Sequence, residues 1–497
     1  MAMVDTALIT LRNVKYSIKK VFCCKSFYTL GELCRLMGAW LPDKTLGNRL
    51  VSFVGCYDEF SLTYGKDCLF FLFDCDPDWY AKAAYKNGAL AVVSDREIEG
   101  VPCIVVDDAW QTYIKVCSFY FDKAGCKSIA ITGSIGKTTT TEMICNVAEM
   151  YFNTFCTPIN GNVVRYMGNA IQKIPRNCEQ FVQEVAENMA NNTAYCSAII
   201  RPNIVAITNI DKSHIGEVGS IERVAELVTE LTNGTPDDGL VIINADDTYS
   251  KLIKLNKRIV SVGIEAEADC IAKDFVYEGK RMRFTLVYRS EQHSVMLNCL
   301  GSHNAYNAMM AFVAGVEMGI PEKLIIKGLR RYKPSSIRQC TYKIAGKTFY
   351  VDCFNASARS IDSALNATAR IETGEAGRRI AVLGDIAEID EHENEVYSEV
   401  GRHVTEADVD LLITYGKDSR MIHDSVQLST VEKKHFENRS ELVAYLKKQM
   451  RRGDVVLIKG SGSMKMEKIF ADLYPVRYFF NQLPTKVKHG IWRLRTL

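Results

Sequence analysis

Residues 127–144 read KSIAITGSIGKTTTTEMI. The apolar run 128–132 predicts a short strand, and Met143, Ile144, Val147 and Ala148 keep the period of a helix. Between them lie Gly133, Ser134, Ile135 and Gly136, followed by Lys137, Thr138 and Thr139. Backbone N–H groups of such a turn, together with the start of a helix, make a cradle for phosphate oxygens. Lys137 would then reach the terminal phosphates, and the Thr138 hydroxyl would ligate Mg²⁺. Ile131 stands where the general phosphate loop has a glycine, so this is not the common GTPase or kinase version.

A second set of polar residues follows in order. Glu184 and Glu187 stand in the run 184–188, and the apolar run 203–209 leads to Asp211 and His214. A carboxylate and an imidazole placed after strands of one sheet point at the crevice where ligands of doubly wound sheets bind. Alone, Glu184 reads as a surface carboxylate and His214 as a loop histidine; their meaning comes from standing behind a phosphate loop. Asn244-Ala-Asp246-Asp247 and the run from Gly301 through His303 to Asn307 come next. Asn304 and Asn307 fall one helical turn apart, placed for base or ribose contact, with capping as the alternative for Asn304.

The elements that must position these groups are α/β in character. Helices are expected at 30–40 and 78–87, and strands at 68–73, 89–94 and 102–107. These make a small α/β domain over 1–125. Buried-strand runs at 128–132, 203–209 and 240–244 predict a mostly parallel sheet covered on both faces, in a central domain over 126–333. Period-two alternation between 282 and 299 predicts an antiparallel hairpin at its edge, and a helix is expected at 304–318. Residues 333–336 read as a linker. Beyond it, strands at 348–352, 379–384, 410–415 and 454–459 define a second parallel α/β domain over 334–497. Its last residues, 477–497, hold five basic side chains and no acidic one, and read as a tail packed on its own domain.

A chain of 497 residues exceeds what one core can organise, so about two to four domains are expected. Hydrophobic content of 47% and charged content of 24% are those of a globular protein. A net charge of +2 gives no overall attraction to nucleic acid or an anionic membrane. Seventeen scattered cysteines without Cys-x-x-Cys spacing fit free thiols in a reducing cytoplasm and argue against zinc. No apolar run approaches the roughly 20 residues that span a bilayer, and no signal peptide is evident.

The order of motifs resembles the Mur ligase superfamily. TGSIGKTTTTE, the run from Glu184 to His214, NADD and the Gly301–Asn307 run match its central domain, and YVDCFNASARS, RIAVLGDIAEID and DVVLIKGSGSMKME match its C-terminal domain. The C-terminal wording is most similar to the branch that adds D-alanyl-D-alanine to UDP-N-acetylmuramoyl-tripeptide in peptidoglycan synthesis. The resemblance implies three domains: a nucleotide-sugar domain, a P-loop ATPase and a dinucleotide-binding-like domain. It also implies an ATP- and Mg²⁺-dependent acid–amino-acid ligase in which a carboxylate is phosphorylated and an amine then displaces phosphate. By the same resemblance Lys137 and the loop hold the β- and γ-phosphates, Thr138 and Glu184 ligate one Mg²⁺ and His214 a second. His303, Asn304 and Asn307 contact the nucleotide, Arg338 and Asp352 close over it, and Asn355, Ser357 and Ser360 receive the amine. The expected partners are small-molecule substrates of a cytoplasmic, monomeric chain.

The match breaks at named places. Val228 stands where the family usually has a lysine, carbamylated in several members, and Glu226 is no substitute because the two positions face differently on a helix. This predicts a weaker second Mg²⁺ site. Ala358, Tyr397 and Gly462 replace a proline, a histidine and an arginine of the family pattern, and the N-terminal domain lacks the family's motifs for uridine nucleotides. Three alternatives follow: a diverged paralogue joining another amine to another acid, a folate-type polyglutamate ligase on the same ATPase core, and a ligase-dead nucleotide-binding protein.

Overall fold

The structure is a computed structural model; it describes residues 28–475 apart from 42, 58–65, 75, 158–160, 212–217, 254, 335–336 and 390–391. The basic tail at 477–497, His214 and half of the 333–336 linker therefore lie outside the described residues.

Three sheets carry the chain. Strands Phe53–Cys56 (β1), Cys68–Phe71 (β2), Ala91–Ser94 (β3) and Cys103–Val105 (β4) form a four-stranded parallel sheet in sequence order. All four residues of β2 and of β3 are buried, as expected for strands covered on both faces.

Nine strands make the second sheet: Lys127–Thr132 (β5), Thr154–Cys156 (β6), Gln180–Glu184 (β7), Ile204–Ile207 (β8), Leu240–Asn244 (β9), Arg258–Gly263 (β10), Cys270–Glu278 (β11), Arg281–Tyr288 (β12) and Glu291–Leu297 (β13). Their order is β13-β12-β11-β10-β9-β8-β5-β7-β6. Pairing is parallel throughout except β11–β12–β13, which run antiparallel at one edge. The expected hairpin at 282–299 is β12–β13, extended inward by β11. The chain leaves β5 first toward β7 and β6, then returns to the other side for β8. This reversal opens a crevice at the carboxyl ends of β5, β7 and β8.

The third sheet holds Cys340–Ile344 (β14), Lys347–Asp352 (β15), Arg379–Gly384 (β16), Leu411–Tyr415 (β17), Glu432–Phe436 (β18) and Val455–Lys459 (β19), in the order β14-β15-β19-β16-β17-β18. Only β14–β15 is antiparallel. β18 reads EKKHF, a charged sequence tolerated because it is the outer strand, where charge also blocks pairing with another chain.

Helix Lys137–Ala148 shows how tertiary packing overrides local preference. It opens with four threonines, poor helix formers because of their branching at Cβ. Thr138, Thr139, Thr140 and Thr141 are all buried. Helices His303–Glu317 and Glu322–Arg331 pack against it, and the joint apolar cluster includes Met143, Ile144, Val147, Met310, Ala314 and Ile325.

One expectation is corrected. Cys145 and Cys156 form a disulfide, so not every thiol is free; the other described cysteines form no disulfide and most are buried. Val228, at the place of the family's lysine, is fully buried in the apolar cluster with Val224, Leu231 and Ile210, while Glu226 points to solvent and pairs with Arg223.

Candidate active site

The turn after β5 is built by close approach. Gly133 has φ +115°, and a Cβ there would meet the Asn209 carbonyl at 2.7 Å. Gly136 has φ +90°, and a Cβ would meet Asn307 Oδ1 at 2.8 Å. Only glycine fits both positions. Asn209, just after β8, clips the turn: its Oδ1 accepts from Ile135 N at 2.9 Å and its Nδ2 donates to Ile135 O at 2.9 Å. Its carbonyl accepts from Ser134 N at 3.0 Å. The Ser134 hydroxyl exchanges bonds with the Asp211 backbone. The N–H groups of the first turn of helix Lys137–Ala148 have no acceptors within the helix and face the crevice. A phosphate would satisfy them.

Lys137 is not solvent-facing. Its side chain is 12% exposed, and Nζ donates to Gly133 O at 2.6 Å and to Glu187 at 2.8 and 3.1 Å. Glu187, 2% exposed, received no role from the sequence. Glu184, at the end of β7 beside Ile131 of β5, is buried and accepts from Asn162 Nδ2 at 3.1 Å.

Asn304 and Asn307 do not offer free amides to a base. Asn307 Oδ1 accepts from Thr140 Oγ1 at 3.0 Å, and Asn304 Nδ2 donates to Leu300 O at 2.7 Å and to Gln339 Oε1 at 2.8 Å. His303 Nε2 lies 3.1 Å from both Asn304 Nδ2 and Gln339 Nε2. Burial, opposed by nearby Asp352, pulls the His303 pKa down to about 4. These side chains form a polar ladder from the phosphate-loop helix to the start of the third sheet.

That sheet contributes from its carboxyl end. Arg338 Nη2 donates to Thr138 Oγ1 at 3.0 Å, and its guanidinium lies 3.3 Å over the Phe354 ring. Burial pushes the Arg338 pKa down, while Glu184, Asp352 and Glu142 supply compensating negative charge. Asp352 accepts from Gln339 N at 3.2 Å and from Lys459 Nζ at 2.9 Å. Lys459, almost wholly buried, also donates to Asn355 O at 2.8 Å. Ser357 and Ser360 form a capping box on helix Ala358–Ala369, each hydroxyl accepting from the other's N–H. Their oxygens are thus committed to the helix start. Arg359 reaches back to Asp247 Oδ1 at 2.9 Å, a contact across the two sheets that sequence reading missed.

A cavity of about 410 Å³ lies where these pieces meet, lined by Asp211, Asn355, Ser357, Ile386, Glu388 and Glu399. A smaller cavity, about 250 Å³, sits at the opposite end of the third sheet beside Arg379 and Asp408, away from these groups.

A phosphate-loop domain whose crevice is completed by a buried arginine from a second α/β domain defines a nucleotide-dependent transferase or ligase. The chain belongs to the Mur ligase family: residues 131–315 match the Mur ligase middle domain, and residues 338–462 match the Mur ligase glutamate ligase domain. It is 30% identical over 409 residues to UDP-N-acetylmuramoyl-tripeptide–D-alanyl-D-alanine ligase of Bacillus subtilis, covering 79% of this chain and 87% of that one. The Mycobacterium tuberculosis enzyme of the same name is 30% identical over 433 residues, covering 77% and 84%. The fold matches MurF of Acinetobacter baumannii with a TM-score of 0.80 at 22% identity, covering 90% of this chain and 99% of that one. It also matches Thermotoga maritima MurF in complex with ADP, with a TM-score of 0.74 at 20% identity, covering 84% and 96%. Among the described residues no helix is long and apolar enough to cross a membrane.

Proposed function

We propose that the protein is an ATP- and Mg²⁺-dependent ligase that joins D-alanyl-D-alanine to UDP-N-acetylmuramoyl-tripeptide. The observation that carries this reading is the reach of Arg338 from the third sheet to Thr138 of the phosphate-loop helix. A free carboxylate is a poor acyl donor. Transfer of the γ-phosphoryl group of ATP to it makes an acyl phosphate, and the dipeptide amine attacks that carbonyl and expels phosphate. Both stages concentrate negative charge, which cations placed in advance stabilise.

In this reading Lys137 and the first-turn N–H groups bind the β- and γ-phosphates. Arg338 neutralises charge at the transferring group, and its approach excludes water that would hydrolyse the acyl phosphate. Thr138 and Glu184 offer hydroxyl and carboxylate oxygens, the donor chemistry that suits Mg²⁺, which would neutralise the phosphates. His214 remains a proposed ligand outside the described residues. His303, Asn304 and Asn307 act by holding the loop and the interdomain ladder. Asp352 sits where the two domains face the nucleotide. Asn355 lines the amine cavity, with Ser357 and Ser360 shaping its wall through the helix they cap. Domain limits of 1–125, 126–333 and 334–497 belong to the same reading, supported by one sheet lying within each range.

A diverged paralogue with another acid or amine is the second reading, favoured by the missing uridine motifs of the N-terminal domain. The test is phosphate release and product mass, with the UDP-linked tripeptide and the dipeptide supplied together and singly. Turnover with both, and product of the summed mass less water, is expected. Turnover only with another amine or acid would select the paralogue.

A further inference from the structure

Glu187 stands on the strand-to-loop turn three residues past Glu184, at the carboxyl end of β7. Its carboxylate is 2% exposed and takes two of the Lys137 Nζ contacts, at 2.8 and 3.1 Å. A carboxylate removed this far from water needs a cation beside it. Lys137 supplies that cation here. Yet Lys137 is also the ammonium that a phosphate loop delivers to the terminal phosphates. Once a triphosphate claims it, Glu187 requires another positive charge at the same place.

The surroundings narrow what that charge is. The end of β7 and the turn after it carry two buried carboxylates, Glu184 and Glu187; Glu187 holds Lys137, and Arg338, which feels the charge of Glu184, donates to the adjacent Thr138 hydroxyl. Hydroxyl and carboxylate oxygens form the donor set of a hard divalent cation. On helix Ile221–Glu230, Val228 is sealed in the core, Glu226 faces solvent and pairs with Arg223, and Glu230 pairs with Arg223 and accepts from Thr193 Oγ1. We propose that Glu187 is a further protein oxygen, with Thr138 and Glu184, for the divalent cation that accompanies the nucleotide, and that Lys137 neutralises it when no nucleotide is bound. The proposal rests on reading the loop as an ATP site and not on which acid and amine are joined.

The experiment is Mn²⁺ binding to the full chain, followed by electron paramagnetic resonance of the free ion, with a saturating β,γ-imido analogue of ATP and neither acid nor amine. Wild-type protein is compared with Glu187→Gln, which keeps the shape and removes the charge. An apparent Mn²⁺ Kd at least about tenfold weaker in Glu187→Gln, with nucleotide affinity in chelator unchanged or tighter, is expected. Unchanged Mn²⁺ affinity would overturn the proposal and leave Glu187 as an anchor for Lys137 only. Should Glu187→Gln fail to fold, Glu187→Asp retains the charge on a shorter arm and is expected to weaken Mn²⁺ binding; wild-type affinity there overturns the proposal equally. Failure of the ligase assay leaves this readout intact, whereas wild-type protein that binds no nucleotide would overturn both readings.

Discussion

Arg338 Nη2 donates a 3.0 Å hydrogen bond to Thr138 Oγ1, joining the entry of the third sheet to the first turn of the phosphate-loop helix. The guanidinium is held from behind by the Phe354 ring, a cation–π contact strengthened by burial. The hydroxyl proposed to face Mg²⁺ is thus already touched by the residue proposed to close over the phosphates.

Arg338→Lys is expected to lower kcat/KM at least about 100-fold, equivalent to about 3 kcal/mol of transition-state stabilisation. Lysine lacks the planar fork and the stacking surface, so the change is not conservative. Steady-state kinetics with ATP varied checks it; activity within threefold of wild type would remove Arg338 from the nucleotide site.

Arg359 and Asp247 form the second bridge between the sheets. Asp247 is 2% exposed and Arg359 38%, so solvent screens one partner. Burial raises the Asp247 carboxyl pKa, while Arg359 and the N–H of Ile210 pull against that rise. A double-mutant cycle of Arg359→Gln and Asp247→Asn is expected to give a coupling of about 1 kcal/mol in stability. Small-angle scattering of Arg359→Gln should show a larger radius of gyration without substrates. Additive effects and an unchanged radius would mean the bridge does not hold the domains together.

Lys137→Ala is expected to abolish ligation and also to destabilise the fold by about 3 kcal/mol, because it leaves the Glu187 carboxylate buried without its cation. Lys137→Met combined with Glu187→Gln should recover most of the stability and none of the activity. Urea denaturation beside the ligation assay separates the two effects. A fully stable Lys137→Ala would show that the pair is not needed by the folded state.

His303 predicts a pH dependence. Its folded pKa is about 4, below the ordinary value of 6.5, so the folded protein prefers the neutral ring. The unfolded chain binds the proton first as pH falls. The stability that this ring confers is complete above about pH 6.5, declines toward pH 4 and is then level, a change of at most about 3 kcal/mol. Comparing wild type with His303→Gln by chemical denaturation from pH 7 to 4.5 should show a shallower loss in the variant. Parallel pH profiles would contradict the buried neutral imidazole.

Val228→Lys is expected to destabilise the protein by about 3 kcal/mol or more, with no gain in activity from bicarbonate. Val228 is surrounded by Val224, Leu231 and Ile210 rather than by metal ligands. A stable variant whose Mg²⁺ requirement falls when bicarbonate is added would show that this position reaches the metal.

Much of the architecture could be read from local pattern. The run 128–132, the glycines at 133 and 136 and the apolar period after Lys137 announce a strand, a turn and a helix because each is encoded within a few residues. Strands Arg379–Gly384 and Leu240–Asn244 carry continuous apolar runs, which only a doubly covered sheet requires. β18 escaped because an outer strand tolerates charge, and β6 because three residues carry no period.

The sequence by itself determined the phosphate loop, the order of its polar partners and the α/β class, since backbone conformation and hydrophobic period are short-range properties. Tertiary structure alone decided which polar groups meet one another. Asn304 meets Leu300 and Gln339, and Ser357 and Ser360 cap the start of one helix together. Glu187 received no role from the sequence, yet it is sealed against Lys137, 50 residues earlier. Arg338 meets Thr138 across 200 residues. Such pairings depend on how whole sheets and helices pack, and desolvation at those contacts, which no local pattern records, sets what each charge can do.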